Sequence, residues 1–200
     1  MEVIFKMTLI DWLIFWLAIG AYTPLIIGII KEKNDRSQTF TTWILYFLLD
    51  VITMFSIIEK DGNYVILFGF AVGSFIMSFL LLYQRRISFT WLEAGTTLMV
   101  IITLIVWYAG GPYWTIVAGI VSEAIVGIYL IIKTFRYPVV KYNLTGYFWF
   151  LIVSIITMIA AKDWSIPEMG YALCETILNS IVLIPLLKKW LDDKRRLEIL

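Results

Sequence analysis

Histidine is absent from the 200-residue chain and cysteine occurs once, at Cys174. Without histidine there is no His-ligated metal site, no Ser-His-Asp or Cys-His catalytic arrangement and no HExxH helix. One cysteine excludes an internal disulfide framework. Charged residues are also scarce, at 16%, and the net charge of +1 points to no acidic partner. The polar breaks are too short to hold a soluble domain, so the sequence predicts no enzyme and no cofactor.

What remains is apolar. Hydrophobic residues make up 61% of the chain and aromatics 16%, and the mean hydropathy is +0.88. This exceeds what a soluble core uses, so much of the apolar surface is expected to face lipid. A bilayer core takes about 20 apolar residues per helix, which divides the chain into seven predicted spans at 9–30, 40–58, 64–83, 91–109, 113–133, 146–162 and 168–188. Breaks such as Glu59-Lys60-Asp61-Gly62-Asn63 and Ala109-Gly110-Gly111-Pro112 are turn chemistry. The first run is too long for a signal-peptide core and lacks a small-residue cleavage site, so it reads as a retained helix. A retinal protein is not expected either, since the last span has lysines only at its end, Lys188 and Lys189.

Basic residues set the expected orientation. Lys31, Lys33, Arg36, Arg85, Arg86, Lys133, Arg136, Lys141, Lys188, Lys189, Lys194, Arg195 and Arg196 fall on one side of the seven spans, and only Lys6, Lys60 and Lys162 on the other. Positively charged loops stay cytoplasmic, so the N-terminus is expected outside and the C-terminus in the cytoplasm.

The chain also repeats weakly against itself. A shift of 104 residues sets Thr41 on Thr145, Ile52 on Ile156, Thr53 on Thr157 and Met54 on Met158. A shift of 102 sets Ile29-Ile30-Lys31 on Ile131-Ile132-Lys133, and one of 106 sets Ser74 on Ser180 and Leu80-Leu81 on Leu186-Leu187. The offset contains four spans, an even number, so both copies enter the membrane in the same direction. The expected fold is an all-α membrane protein of two parallel three-helix bundles, 1–86 and 113–200, joined by a linker helix within 87–112.

That pattern, with Tyr22-Thr23-Pro24-Leu25 in the first helix and the basic loop Lys31 to Gln38 after it, resembles the SWEET and PQ-loop families. Leu25 stands where the PQ signature has glutamine, and Val126 aligns with Pro24 in the second copy, which points to a divergent, bacterial-type relative of the plasma (inner) membrane. The resemblance implies alternating access of a small polar, sugar-like or other solute to a midplane site, with Pro24 as hinge. It also implies that Asn179 is a substrate-contacting asparagine of the third helix in its bundle. Its mate in the first copy is Gly73. Members of the same architecture also act as cargo receptors, so a non-transporting receptor or scaffold is the competing expectation.

Ionisable groups inside spans are costly and therefore informative. Asp50, Glu123 and Glu175 lie well inside predicted spans and are candidates for proton coupling or cation recognition. Asp50 and Thr53 share a helical face, Ser154 and Thr157 occupy the matching positions of the second copy, and Glu175 and Asn179 share another face. These six are the candidate substrate-binding residues. Asp11 and Glu93, near span ends, are expected to cap helices or meet headgroups. Trp12, Trp91, Trp114, Trp164 and Trp190 suit interfacial belts, whereas Trp43, Trp107 and Trp149 fall inside spans. The expected partners are the bilayer, the solute, a coupling proton or cation and further copies of the chain, with no nucleic acid.

Overall fold

The computed structural model describes residues 7–31, 39–87, 89, 91–136 and 141–198, and among these there is no strand. The helices are α1 (Leu9–Gly20), α2 (Thr23–Lys31), α3 (Phe40–Ile58), α4 (Val65–Tyr83), α5 (Trp91–Arg136), α6 (Lys141–Ala160) and α7 (Tyr171–Glu198), with a π-helical turn at Ile166–Gly170 before α7. Taking α1 and α2 as one element, six helices among the described residues are long and apolar enough to cross a membrane. The chain is an integral membrane protein. The basic loop 32–38 of the expected repeat lies outside the described residues.

Local chemistry explains the ends of several elements. Thr8 and Asp11 form a capping box, the Thr8 hydroxyl accepting from Asp11 N–H while Asp11 Oδ2 accepts from Thr8 N–H at 2.8 Å. Asp11 thus takes its expected capping role. The first span is interrupted at Ala21 and Tyr22, where Tyr22 N–H turns back to Ile19 O at 3.1 Å. Pro24 is the second residue of the helix that follows, α2, and has no N–H to offer Gly20, one turn before it.

α3 closes on Ile57 and Ile58, which accept from Gly62 N–H and Asp61 N–H at 3.0 and 3.1 Å, the Schellman pattern. The left-handed residue of that pattern is Asp61, with φ 53°, not the adjacent glycine. Gly62 is needed for another reason. A Cβ there would stand 2.5 Å from the Pro167 carbonyl oxygen, so the turn between α3 and α4 packs directly on the π-helical turn. Beside that turn, the Ser165 side chain and N–H hold the exposed Asp163 carboxyl below the usual carboxylate range.

α5 departs from a straight helix. Gly111 has φ 76° and ψ −178°, and Pro112 follows, a glycine stop and a proline start in succession. The hydroxyls of Thr103 and Ser122 lie 3.2 Å apart, whereas a straight helix would separate them by roughly 28 Å. α5 therefore folds back on itself at Gly111. Its first half packs on α3 through Val100 against Leu45, Leu49 and Ile52. Glu93 joins this seam, accepting from the Thr39 and Thr42 hydroxyls at 2.9 and 2.8 Å. The headgroup contact expected for Glu93 is not what is seen, because the side chain is buried.

The remaining packing has a regular order. α4 lies against both α1 and α3, and α7 lies against both α6 and α5. Across the molecule, α1 and α2 meet α6, while α3 meets α5. Glycines mark the closest approaches: Ala18 sits on Gly69, Thr53 on Gly119 and Leu178 on Gly127. Small residues let apolar helices approach where hydrophobic burial offers no driving force.

Candidate functional site

Several buried polar groups lie where the first four helices meet the second half of α5, α6 and α7. Asp50 of α3 is 3% exposed. Its Oδ1 accepts from the Tyr171 hydroxyl at 3.0 Å, and its Oδ2 from the Ser74 hydroxyl at 3.4 Å. Ser74 is in turn 3.0 Å from the Tyr22 hydroxyl; with the serine proton directed at Asp50, tyrosine is the donor. Asp50 is thus tied to α7 directly and to the break in the first span through α4.

Glu123 and Glu175, from α5 and α7, are 7% and 9% exposed and lie near each other where α5 packs on α7. Asn179 steadies the pair, its amide donating to Glu175 Oε2 at 2.8 Å and to Glu175 O at 2.7 Å. Of the three buried side-chain oxygens without a hydrogen-bond partner among the described residues, two, Glu123 Oε2 and Thr53 Oγ1, belong to this region. Thr53 points at Gly119, one helical turn before Glu123, so both orphaned atoms lie along one α3–α5 crossing. Among the described residues, no three His, Cys, Asp or Glu side chains converge closely enough to hold a metal ion.

Of the candidates from sequence, Asp50, Thr53, Glu123, Glu175 and Asn179 come together at this seam. Ser154 and Thr157 do not join it through their hydroxyls, which donate at 2.8 Å to the carbonyls of Phe150 and Val153 one turn back on α6. Back-bonding of this kind satisfies a hydroxyl without any partner helix. Pro24 lies away from the carboxyls, lining a groove of about 470 Å³ between the first span and α6, with Trp16, Gly20, Thr145 and Trp149.

Sequence reasoning missed Ser74 and Tyr171 as partners of Asp50, and Tyr22 behind Ser74. Tyr171 carried a faint signal, since it precedes Glu175 by one turn and so shares its face. Gly69 and Gly73 carried a stronger one. They stand 106 residues before Glu175 and Asn179, so the expected repeat sets a small-xxx-small pair against that carboxyl and amide. Gly73 seats the Tyr22 ring, which a Cβ would meet at 2.3 Å. The glycine thereby lets the tyrosine hydroxyl reach Ser74.

Aromatic side chains enclose the seam. The Tyr22 ring lies 4.9 Å from Phe150 and 5.7 Å from Trp43, and Phe70 lies 5.4 Å from Phe150 and 6.3 Å from Tyr171. Trp43 therefore faces inward, whereas Trp149 and Trp107 are exposed.

Fold and site together define an all-helical integral membrane protein with an acidic cluster buried among its helices. Comparison with protein-family models, with curated proteins and with solved structures found no match.

Proposed function

We propose that the chain is a proton-coupled secondary transporter or facilitator for a small polar solute, working by alternating access between two three-helix bundles. Counting the folded-back α5 as two crossings gives seven spans and a 3+1+3 layout. The packing order supports it: the third helix of each bundle lies between the other two, and the first of one bundle meets the second of the other. The first half of α5 is then the linker, and the Lys/Arg distribution puts the N-terminus outside.

The observation that carries the proposal is the meeting of Asp50, Glu123 and Glu175, from three helices, at the seam between the bundles. Carboxyls at this depth cost several kcal/mol in total, since each is worth roughly 2.5 to 3.5 kcal/mol at a helix centre. A bundle held only by packing has no use for them, and less still for the orphaned Glu123 Oε2. A group that gains and loses protons as the seam opens uses all three. Thr53 and Asn179 supply neutral hydrogen-bonding atoms for solute, and the break before Pro24 supplies a flexible joint.

The scaffold reading draws on one specific observation, that Asp50 is already bonded by Tyr171 and Ser74 from neighbouring helices. Reconstitution separates the two. Proteoliposomes carrying the wild-type chain are expected to take up a solute from a panel of sugars, amino acids and nucleosides under an imposed pH gradient, and Glu123→Gln is expected to abolish the pH-driven component. Failure of every solute, with Asp50→Asn merely lowering thermal stability, would establish the scaffold instead.

A further inference from the structure

We propose that the groove between the first span and α6 seats a helix from a second copy of this chain, so that the protein assembles head to tail. The inference rests on the 3+1+3 reading above. The repeat offsets that relate the two bundles carry Gly20 onto Ser122 and Trp149 onto Leu45. Ser122 and Leu45 are the residues on which the first half of α5 sits, through the Thr103 hydroxyl at 3.2 Å and through Val100. The linker helix thus fills one of two symmetry-related seats. The chain has a single linker, and the other seat is the groove.

Its shape suits a helix. The groove holds about 470 Å³ and is lined by Trp16, Gly20, Thr23, Thr145 and Trp149 among others. At Gly20, a Cβ would meet nothing within 4 Å. Small residues on a lipid-facing surface permit close approach of a second backbone, and here they lie between two tryptophans.

The symmetry also fixes direction. The linker runs antiparallel to the second half of α5, so an occupant of the equivalent seat runs antiparallel to α1 and α2. The linker of a neighbouring copy, inserted the same way up, has that direction. Its outer ridge is free to dock: Gly95, Leu98, Ile102 and Ile105 recur at helical spacing and are exposed, and Gly95 too has nothing within 4 Å. A ridge of one copy entering the groove of the next makes a heterologous contact, which forms a ring about an axis normal to the membrane where its rotation closes.

Native mass spectrometry of the full chain released from lipid nanodiscs tests this. Wild type is expected at a multiple of 23.2 kDa. Gly20→Leu puts bulk into the seat through a Cβ that meets nothing of its own protomer within 4 Å, and is expected to give only the monomer mass, with helical circular dichroism and thermal midpoint unchanged. Leu98→Ala combined with Ile105→Ala shaves the ridge and is expected to do the same. A monomeric wild type, or an oligomer that survives both changes, overturns the proposal. So does a monomer whose Trp16 is quenched by bromine-labelled lipid, since lipid then holds the seat. The mass is read without solute: a monomer that transports overturns the docking alone, and an oligomer that moves nothing overturns the transport reading alone.

Discussion

Thr53 separates structural from functional use of a buried polar atom more sharply than any other residue in the molecule. Its hydroxyl is fully buried and has no partner. An unsatisfied buried hydroxyl costs about 1 to 3 kcal/mol, so the isosteric Thr53→Val is expected to leave thermal stability unchanged or to raise it by about 1 kcal/mol. If solute uses the hydroxyl, flux falls in the same variant while stability holds. A lower melting temperature with unchanged flux would show that the hydroxyl is bonded to its own helix and idle.

Tyr171 and Gly73 give the converse case, residues whose cost is structural. Tyr171→Phe removes one donor from Asp50 and is expected to lower stability by roughly 0.6 to 1.5 kcal/mol, the range for a single side-chain hydrogen bond within a membrane bundle. Gly73→Ala asks more, because the Tyr22 ring must leave its seat, and overpacking of this kind costs about 1 to 3 kcal/mol. Denaturation of the reconstituted chain, read by tyrosine and tryptophan fluorescence, checks the order of the two. A larger loss for Tyr171→Phe would mean that the ring packing is looser than the 2.3 Å approach implies.

The carboxyls of this site were legible in the sequence, and their partners were not. Asp50, Glu123 and Glu175 stand out because a charge inside an apolar run is expensive wherever the run packs. Eleven tyrosines and many hydroxyls are spread through the chain, and nothing local distinguishes Tyr171 or Ser74 from the rest. Only the crossing of α3, α4 and α7 selects them. Ser154 and Thr157 mark the limit of the repeat as a guide, since they occupy the positions matched to Asp50 and Thr53 while their hydroxyls found their bonds on their own helix.

Element boundaries were readable where the chemistry was local. The spans ending α3 and α4 fall within a residue of those expected, because turn residues follow each directly. The last helix begins at Tyr171, not 168, because a π turn intervenes, and a π turn has no sequence signature of its own. The Gly110-Gly111-Pro112 break was legible as punctuation. That it folds α5 back on itself depends on Thr103 meeting Ser122 across the turn. Gly111→Ala is accordingly expected to destabilise by roughly 1 to 3 kcal/mol, the cost of forcing a side chain into backbone space open essentially to glycine. Gly110→Ala is the control, since the nearest atom its Cβ would meet is Trp114 Cβ, at 3.3 Å. Equal losses in thermal unfolding would show that the turn does not depend on the φ of Gly111.

At the scale of the whole molecule, the turn between α3 and α4 and the π turn before α7 meet at one end of the seam. On the proposed orientation that end is the outer face, so their contact closes the outside. Pro167 lies one helical turn before Tyr171, and Tyr171 holds Asp50. Separating the two turns therefore pulls on a bond to the acidic cluster. A Cβ at position 62 would stand 2.5 Å from the Pro167 carbonyl oxygen and 2.8 Å from its carbonyl carbon, so Gly62→Ala forces the two turns apart. Overpacking of this kind is expected to lower thermal stability by about 1 to 3 kcal/mol, and the wedged outer end is expected to leave solute binding from outside intact while transmembrane flux falls. Flux that continues unchanged in Gly62→Ala would place the moving parts elsewhere, and would make the Gly62–Pro167 contact simple packing between the two turns and not an outer gate.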